Sequence, residues 1–145
     1  MAEGASGQSV SLRISADPAE LPRVRAALHA AVDPVGFGAE EAAQIILAID
    51  EALTNIIRHG YGGPCGKPID IGLVSLSEGG RAGIRVTIRD FGRQVDPAVI
   101  CGRDLDDVRP GGLGVHIIRS VMDEVNYGRA EEGGMCVTMK KWVNR

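Results

Sequence analysis

Aromatic side chains are scarce in this chain: two Phe, two Tyr and one Trp among 145 residues. A core must therefore be built from Ala, Val, Ile and Leu. Cysteine is sparse as well. Cys65, Cys101 and Cys136 are an odd number at wide spacing with no CxxC pair. That pattern supports neither a zinc knuckle nor a thioredoxin motif, and it reads as three free thiols in a reducing compartment. Positive charge is not in excess: 16 Lys and Arg face 19 Asp and Glu, a net charge of -3. The totals carry no basic footprint for nucleic acid or an anionic membrane. Long apolar runs of the roughly 18 residues a membrane helix needs are missing. Met1–Gly7 is small and polar, without a basic n-region or an apolar h-region. Neither a membrane span nor secretion is expected, which leaves the cytoplasm. Internal repeats, heptads and a G-X-Y period are absent too, excluding collagen and coiled coil.

What the chain has in quantity is glycine, 20 of 145 residues, roughly twice the average usage of about 7%. With 44% hydrophobic and 24% charged residues, the rest is ordinary globular composition. The length fits one domain over residues 9–145, after a flexible N-terminus at residues 1–8. Residues 9–14 alternate polar and apolar and read as a strand. Asp17-Pro18 supplies an N-cap and an N1 proline for a helix over about 18–33. Glu40 to His59, twenty residues with no Gly or Pro, carries an apolar stripe from Ala42 through Ile45, Ile49 and Leu53 to Ile57, the mark of an amphipathic helix. Strands are expected at 69–76 and 84–89 around Glu78-Gly79-Gly80, and at 124–127 and 135–142 around Glu132-Gly133-Gly134. Residues 91–112 form a long loop, a length that is usually functional in a small domain. A short helix from Val115 to Met122 follows Gly111-Gly112-Leu113-Gly114. The order β-α-α-β-β-loop-α-β-β implies an α+β, two-layer sandwich, with helices on one face of a mixed, mostly antiparallel sheet.

Three apparent motifs fail on inspection. Gly62-Gly63-Pro64-Cys65-Gly66-Lys67 has Tyr61 where a P-loop needs glycine, and Pro68 where it needs Ser or Thr. Asp90-Phe91-Gly92 spells DFG without the other signatures of a protein-kinase fold. Gly112-Leu113-Gly114 lacks the third glycine of a dinucleotide fingerprint, because residue 117 is Ile.

Three other pieces agree with one another. Gln44, Ala48, Glu51, Asn55 and His59 follow at helical steps, so they form one stripe largely away from the Ile/Leu stripe. Glu51 and Asn55 lie one turn apart, a carboxylate able to act as base and an amide oxygen able to ligate a hard cation. Asp90, at a strand end and followed by Gly92, can accept a hydrogen bond from a base amino group, and Gly92 lets backbone approach a flat ligand. Gly111-Gly112-Leu113-Gly114 opens a helix, whose free N–H groups and dipole favour an anion. Taken singly, these also read as a solvated helix face, an Asp-Gly turn and a glycine-rich cap; their joint order points to one site.

In that order the residues resemble the GHKL, or Bergerat-fold, ATPases. Glu51-Ala-Leu-Thr-Asn55-Ile-Ile-Arg-His59-Gly60-Tyr61 is similar to their N box. Asp90-Phe-Gly92-Arg-Gln-Val-Asp96-Pro97 is similar to the G1 box. Gly111-Gly112-Leu113-Gly114, followed by Met122-Asp123-Glu124-Val125, is similar to the G2 box. Within that superfamily the chain most resembles the anti-sigma factor serine kinases of the RsbW and SpoIIAB type. The resemblance implies ATP (or ADP) and Mg²⁺ between helices and sheet, under a lid at about 93–110. It gives Asp90 the adenine amino group, Asn55 the Mg²⁺ ion and Glu51 the role of catalytic base. Gly92, Gly112, Leu113, Gly114 and Val115 would line the nucleotide, and Thr138 would reach the adenine pocket. The implied partners are a STAS-domain anti-anti-sigma factor, phosphorylated on serine, and a sigma factor, with a homodimer expected by analogy. One competing reading is a nucleotide-sensing anti-sigma or partner-switch binding module with little or no kinase activity; another is a regulator whose client is not a sigma factor. Arg58 on the N-box helix has no assigned role.

Overall fold

The structure, a computed structural model, describes residues 9–92 and 112–144. The elements run β1 (Ser9–Ser15), α1 (Leu21–Val32), α2 (Ala39–Asn55), β2 (Pro68–Glu78), β3 (Arg81–Asp90), α3 (Gly112–Val121), β4 (Glu124–Arg129) and β5 (Met135–Trp142). The sheet order is β1-β2-β3-β5-β4, and every neighbouring pair is antiparallel. Two hairpins account for half of this pairing. Gly79 and Gly80 join β2 to β3 with φ of 55° and 80°, the left-handed conformation that a two-residue hairpin loop needs.

Strand alternation decides what the sheet buries. Ile69, Ile71 and Leu73 on β2, Ile84, Val86 and Ile88 on β3, and Val137 and Met139 on β5 all face the core. Val24 and Leu28 of α1 meet them there, with Ile45, Ile49 and Leu53 of α2. Each such side chain removed from water contributes about 1.5–3 kcal/mol, so an aliphatic core suffices where aromatics are few. α3 packs against α2 and buries Ile118. The helices thus cover one face of the sheet, giving the two-layer α+β sandwich implied by the sequence.

Several boundaries differ from the sequence reading. The first helix begins with a 3₁₀ turn at Pro18–Glu20, capped by Asp17, whose Oδ1 accepts from the Ala19 amide at 2.9 Å. α2 stops at Asn55 and widens into a π turn, Ile56–Gly60, closed by the Tyr61 amide on Ile56 O at 2.9 Å. α3 starts at Gly112, so Gly112-Leu113-Gly114 occupy its first turn instead of preceding it. First-turn amides need no partner within the helix, so glycine there costs little of the ladder.

Candidate functional site

Asp90 ends β3, and its side chain points into the core face, only 4% exposed. A carboxylate in that position must be hydrogen-bonded. Oδ1 accepts from the amide of Gly92 at 2.9 Å and from the amide of Met135 at 3.2 Å. Both bonds fall on one oxygen. Oδ2 faces the end of the π turn, lying 3.9 Å from where a Cβ on Gly60 would sit. Burial pushes the Asp90 carboxyl above its usual range, against the pull of the Gly92 and Met135 amides and of Arg89. The result is a buried acceptor with two amides on one oxygen and no hydrogen-bond partner on the other among the described residues.

Three segments hold this carboxylate in place. The β4–β5 turn supplies the Met135 amide, and Gly134 comes so close that a Cβ there would collide with the carbonyl oxygen of Asp90. Gly134 also has φ of 81°, a conformation costly for other residues. Arg89 donates from Nη2 to Gly133 O at 3.2 Å, with its guanidinium 4.5 Å from the centre of the Phe91 ring. From the helical layer comes Tyr61. Its hydroxyl donates to Pro68 O at 2.6 Å and accepts from the Phe91 amide at 2.7 Å. Gly92 lies against the same ring: a Cβ there would stand 3.1 Å from Tyr61 Cδ1 and 2.8 Å from Gly60 O.

Glu51 and Asn55 are half-buried on the last turns of α2. The stripe drawn from the sequence does not hold as a single exposed face. Ala48 is fully buried, whereas Gln44 and His59 are exposed. The π turn contributes to this, since a wider winding rotates His59 off the line set by Asn55. Gly112, Leu113, Gly114 and Val115 form the opening turn of α3, where free amides and the helix dipole suit an anion. The lid proposed at 93–110 lies outside the described residues.

Thr138 is a correction. It pairs with Thr87 on β3 and Asn126 on β4, on the sheet face opposite Asp90. Strand alternation puts Met135, Val137 and Met139 on the Asp90 side, and the group that reaches the carboxylate is the Met135 backbone. Beside Gly92 opens a pocket of about 450 Å³, lined by Arg58, His59, Gly60, Tyr61, Gly62 and Lys67. Arg58, unassigned in the sequence, therefore borders the site. Tyr61, Gly134 and Met135 were missed as site residues. Tyr61 carried a signal, standing directly after Gly60 in the N-box-like segment; a backbone amide such as that of Met135 leaves none.

The residues present suit a nucleotide with a divalent cation. Among the described residues no group of three or more His, Cys, Asp or Glu could hold a metal. Mg²⁺ characteristically takes one or two protein ligands and completes its shell with phosphates and water, so a single Asn55 amide oxygen is compatible with it. No helix among the described residues is long and apolar enough to cross a membrane.

Comparison with known proteins agrees with the fold. The family described as Histidine kinase-like ATPase domain matches residues 14–141. Serine-protein kinase RsbW of Bacillus pumilus is 27% identical over 144 residues, covering 94% of this chain and 86% of that protein. Serine-protein kinase RsbW of Staphylococcus epidermidis is 26% identical over 145 residues, covering 94% and 87%. The crystal structure of the RsbU and RsbW domains of Rv1364c from Mycobacterium tuberculosis is similar with a TM-score of 0.61 at 19% identity, over 92% of this chain and 31% of that one. That last likeness is one of fold.

Proposed function

The chain belongs to the histidine kinase-like ATPase domain family, and from that membership we propose that it is an ATP-dependent serine-protein kinase acting in a partner switch. The observation that carries the nucleotide reading is Asp90, whose Oδ1 is taken by two backbone amides while Oδ2 has no hydrogen-bond partner among the described residues. In this reading Oδ2 accepts from the adenine amino group. The first-turn amides of Gly112, Leu113, Gly114 and Val115 bind phosphate oxygens. Asn55 holds Mg²⁺ through its amide oxygen. Mg²⁺-ATP supplies a charge-neutralised phosphoryl donor, and the chain's own work is to position and to move one proton. Glu51, one turn before Asn55, takes that proton from the attacking serine hydroxyl.

Glu51 favours catalysis over pure nucleotide sensing, since a sensor needs Asp90 and the glycines but no base. The likeness to proteins named serine-protein kinase RsbW supports a serine acceptor; we take that serine to lie on a STAS-domain anti-anti-sigma factor, a sigma factor to be the competing partner, and a homodimer to be the working form. The testing experiment incubates the chain with γ-labelled ATP, Mg²⁺ and a cognate STAS protein. Label should appear on one STAS serine and vanish with Glu51→Ala. Equal transfer by Glu51→Ala would refute the base, and no transfer by the wild type would leave the sensing reading in its place.

A further inference from the structure

The adenine-facing carboxylate and the metal-binding amide belong to different layers, Asp90 to the sheet and Asn55 to α2. Something must fix one relative to the other. The β4–β5 turn secures Asp90 to its own sheet but not to the helix. Beyond the shared apolar core, one polar link across the layers among the described residues is the segment after the π turn, and within it the Tyr61 phenol. The Tyr61 hydroxyl accepts from the Phe91 amide at 2.7 Å and donates to Pro68 O at 2.6 Å. The Phe91 amide belongs to the peptide that leaves Asp90, so its orientation sets where the Asp90 backbone, and thus the carboxylate, stands. The Tyr61 backbone amide is bonded to Ile56 O at 2.9 Å, one residue beyond Asn55. Tyr61 therefore joins the helix end through its backbone, and the start of β2 and the residue after Asp90 through its side chain. Gly92 lies on the ring itself, close enough that a Cβ would force the segment away.

We propose that Tyr61 is a positioning residue for nucleotide recognition, its hydroxyl holding the Asp90–Phe91 peptide so that the carboxylate meets the base. This rests on the reading of Asp90 as the adenine acceptor. Burial raises the phenol's pKa, so the hydroxyl keeps the proton it donates to Pro68 while it accepts from Phe91.

The test is a double-mutant cycle read by calorimetry with ATP and Mg²⁺. Tyr61→Phe keeps the ring under Gly92 and removes only the hydroxyl. Loss of such a bond should weaken ATP binding about 5-fold. Because Tyr61 acts through Asp90, Tyr61→Phe should add less than about 2-fold in an Asp90→Asn background. A merely structural role would weaken binding equally in both backgrounds, and that outcome overturns the proposal, as does an unchanged affinity of Tyr61→Phe. If Asp90→Asn alone binds ATP like the wild type, the acceptor reading itself fails, a result separable from failure at Tyr61. Should Tyr61→Phe not fold, Gly92→Ala takes its place in the cycle. It displaces the same segment with the hydroxyl intact, and its loss of affinity should likewise fade in the Asp90→Asn background; a persisting loss overturns the proposal.

Discussion

Asp90 shows at the scale of one residue how function and stability oppose each other. Its burial raises the carboxyl pKa, so the folded chain holds the proton more tightly than the unfolded chain does. Ionisation therefore costs stability. The cost is absent below the unfolded pKa, grows as pH rises towards the folded pKa, and is complete above it. Asn is nearly isosteric, and its Oδ1 can still accept from Gly92 and Met135. Asp90→Asn is thus expected to raise the melting temperature at pH 7. The gain should shrink as pH approaches the ordinary carboxylate range near 4, and thermal melts at the two pH values check it. The strand-end place of Asp90 was legible in the sequence, but alone it also read as an Asp-Gly turn; its order with the Glu51–Asn55 pair and the Gly111–Gly114 run singled it out. Thr138 was misplaced because its role came from analogy, while the face of β5 is set by register against β3: Thr87 lies opposite Thr138, and Arg89 lies opposite Cys136.

At the scale of elements, periodicity was most informative where burial was one-sided. The Ile stripe of α2 and the alternation of β3 both matched what the fold buries. The end of α2 was not legible. Ile56-Ile57-Arg58-His59 contains no helix breaker, so a continuous helix to His59 is the natural expectation. The π turn there is a tertiary result: Ile57 is drawn into the core at 2% exposure, and Tyr61 is held by Pro68 and Phe91. Ile57→Ala should therefore act twice. It leaves a cavity costing about 2–5 kcal/mol, and it frees the turn that carries Tyr61. Chemical denaturation measures the first effect. The second should appear as ATP affinity lower than that of an equally destabilising core variant such as Val24→Ala, which lies on α1.

At the scale of the whole molecule, a helical layer on one sheet face leaves a seam between layers, where the proposed nucleotide site lies. In the proposed site α2 would supply Glu51 and Asn55, β3 supplies Asp90, the start of β5 supplies the Met135 N–H, and α3 would supply its opening amides. The layered fold could be read from element order, since hairpin-linked strands interspersed with helices permit few arrangements. The contacts that lock the seam could not, because they are backbone approaches at Gly92 and Gly134 and a phenol spanning two layers. Glycine abundance signals such approaches without saying which glycine makes which. The most direct measurement is calorimetric titration of Mg²⁺-ATP into the wild type and Asp90→Asn. Saturable binding by the wild type, weakened at least about tenfold in a folded Asp90→Asn protein, is the predicted result. Equal affinity of the two proteins for ATP would contradict it.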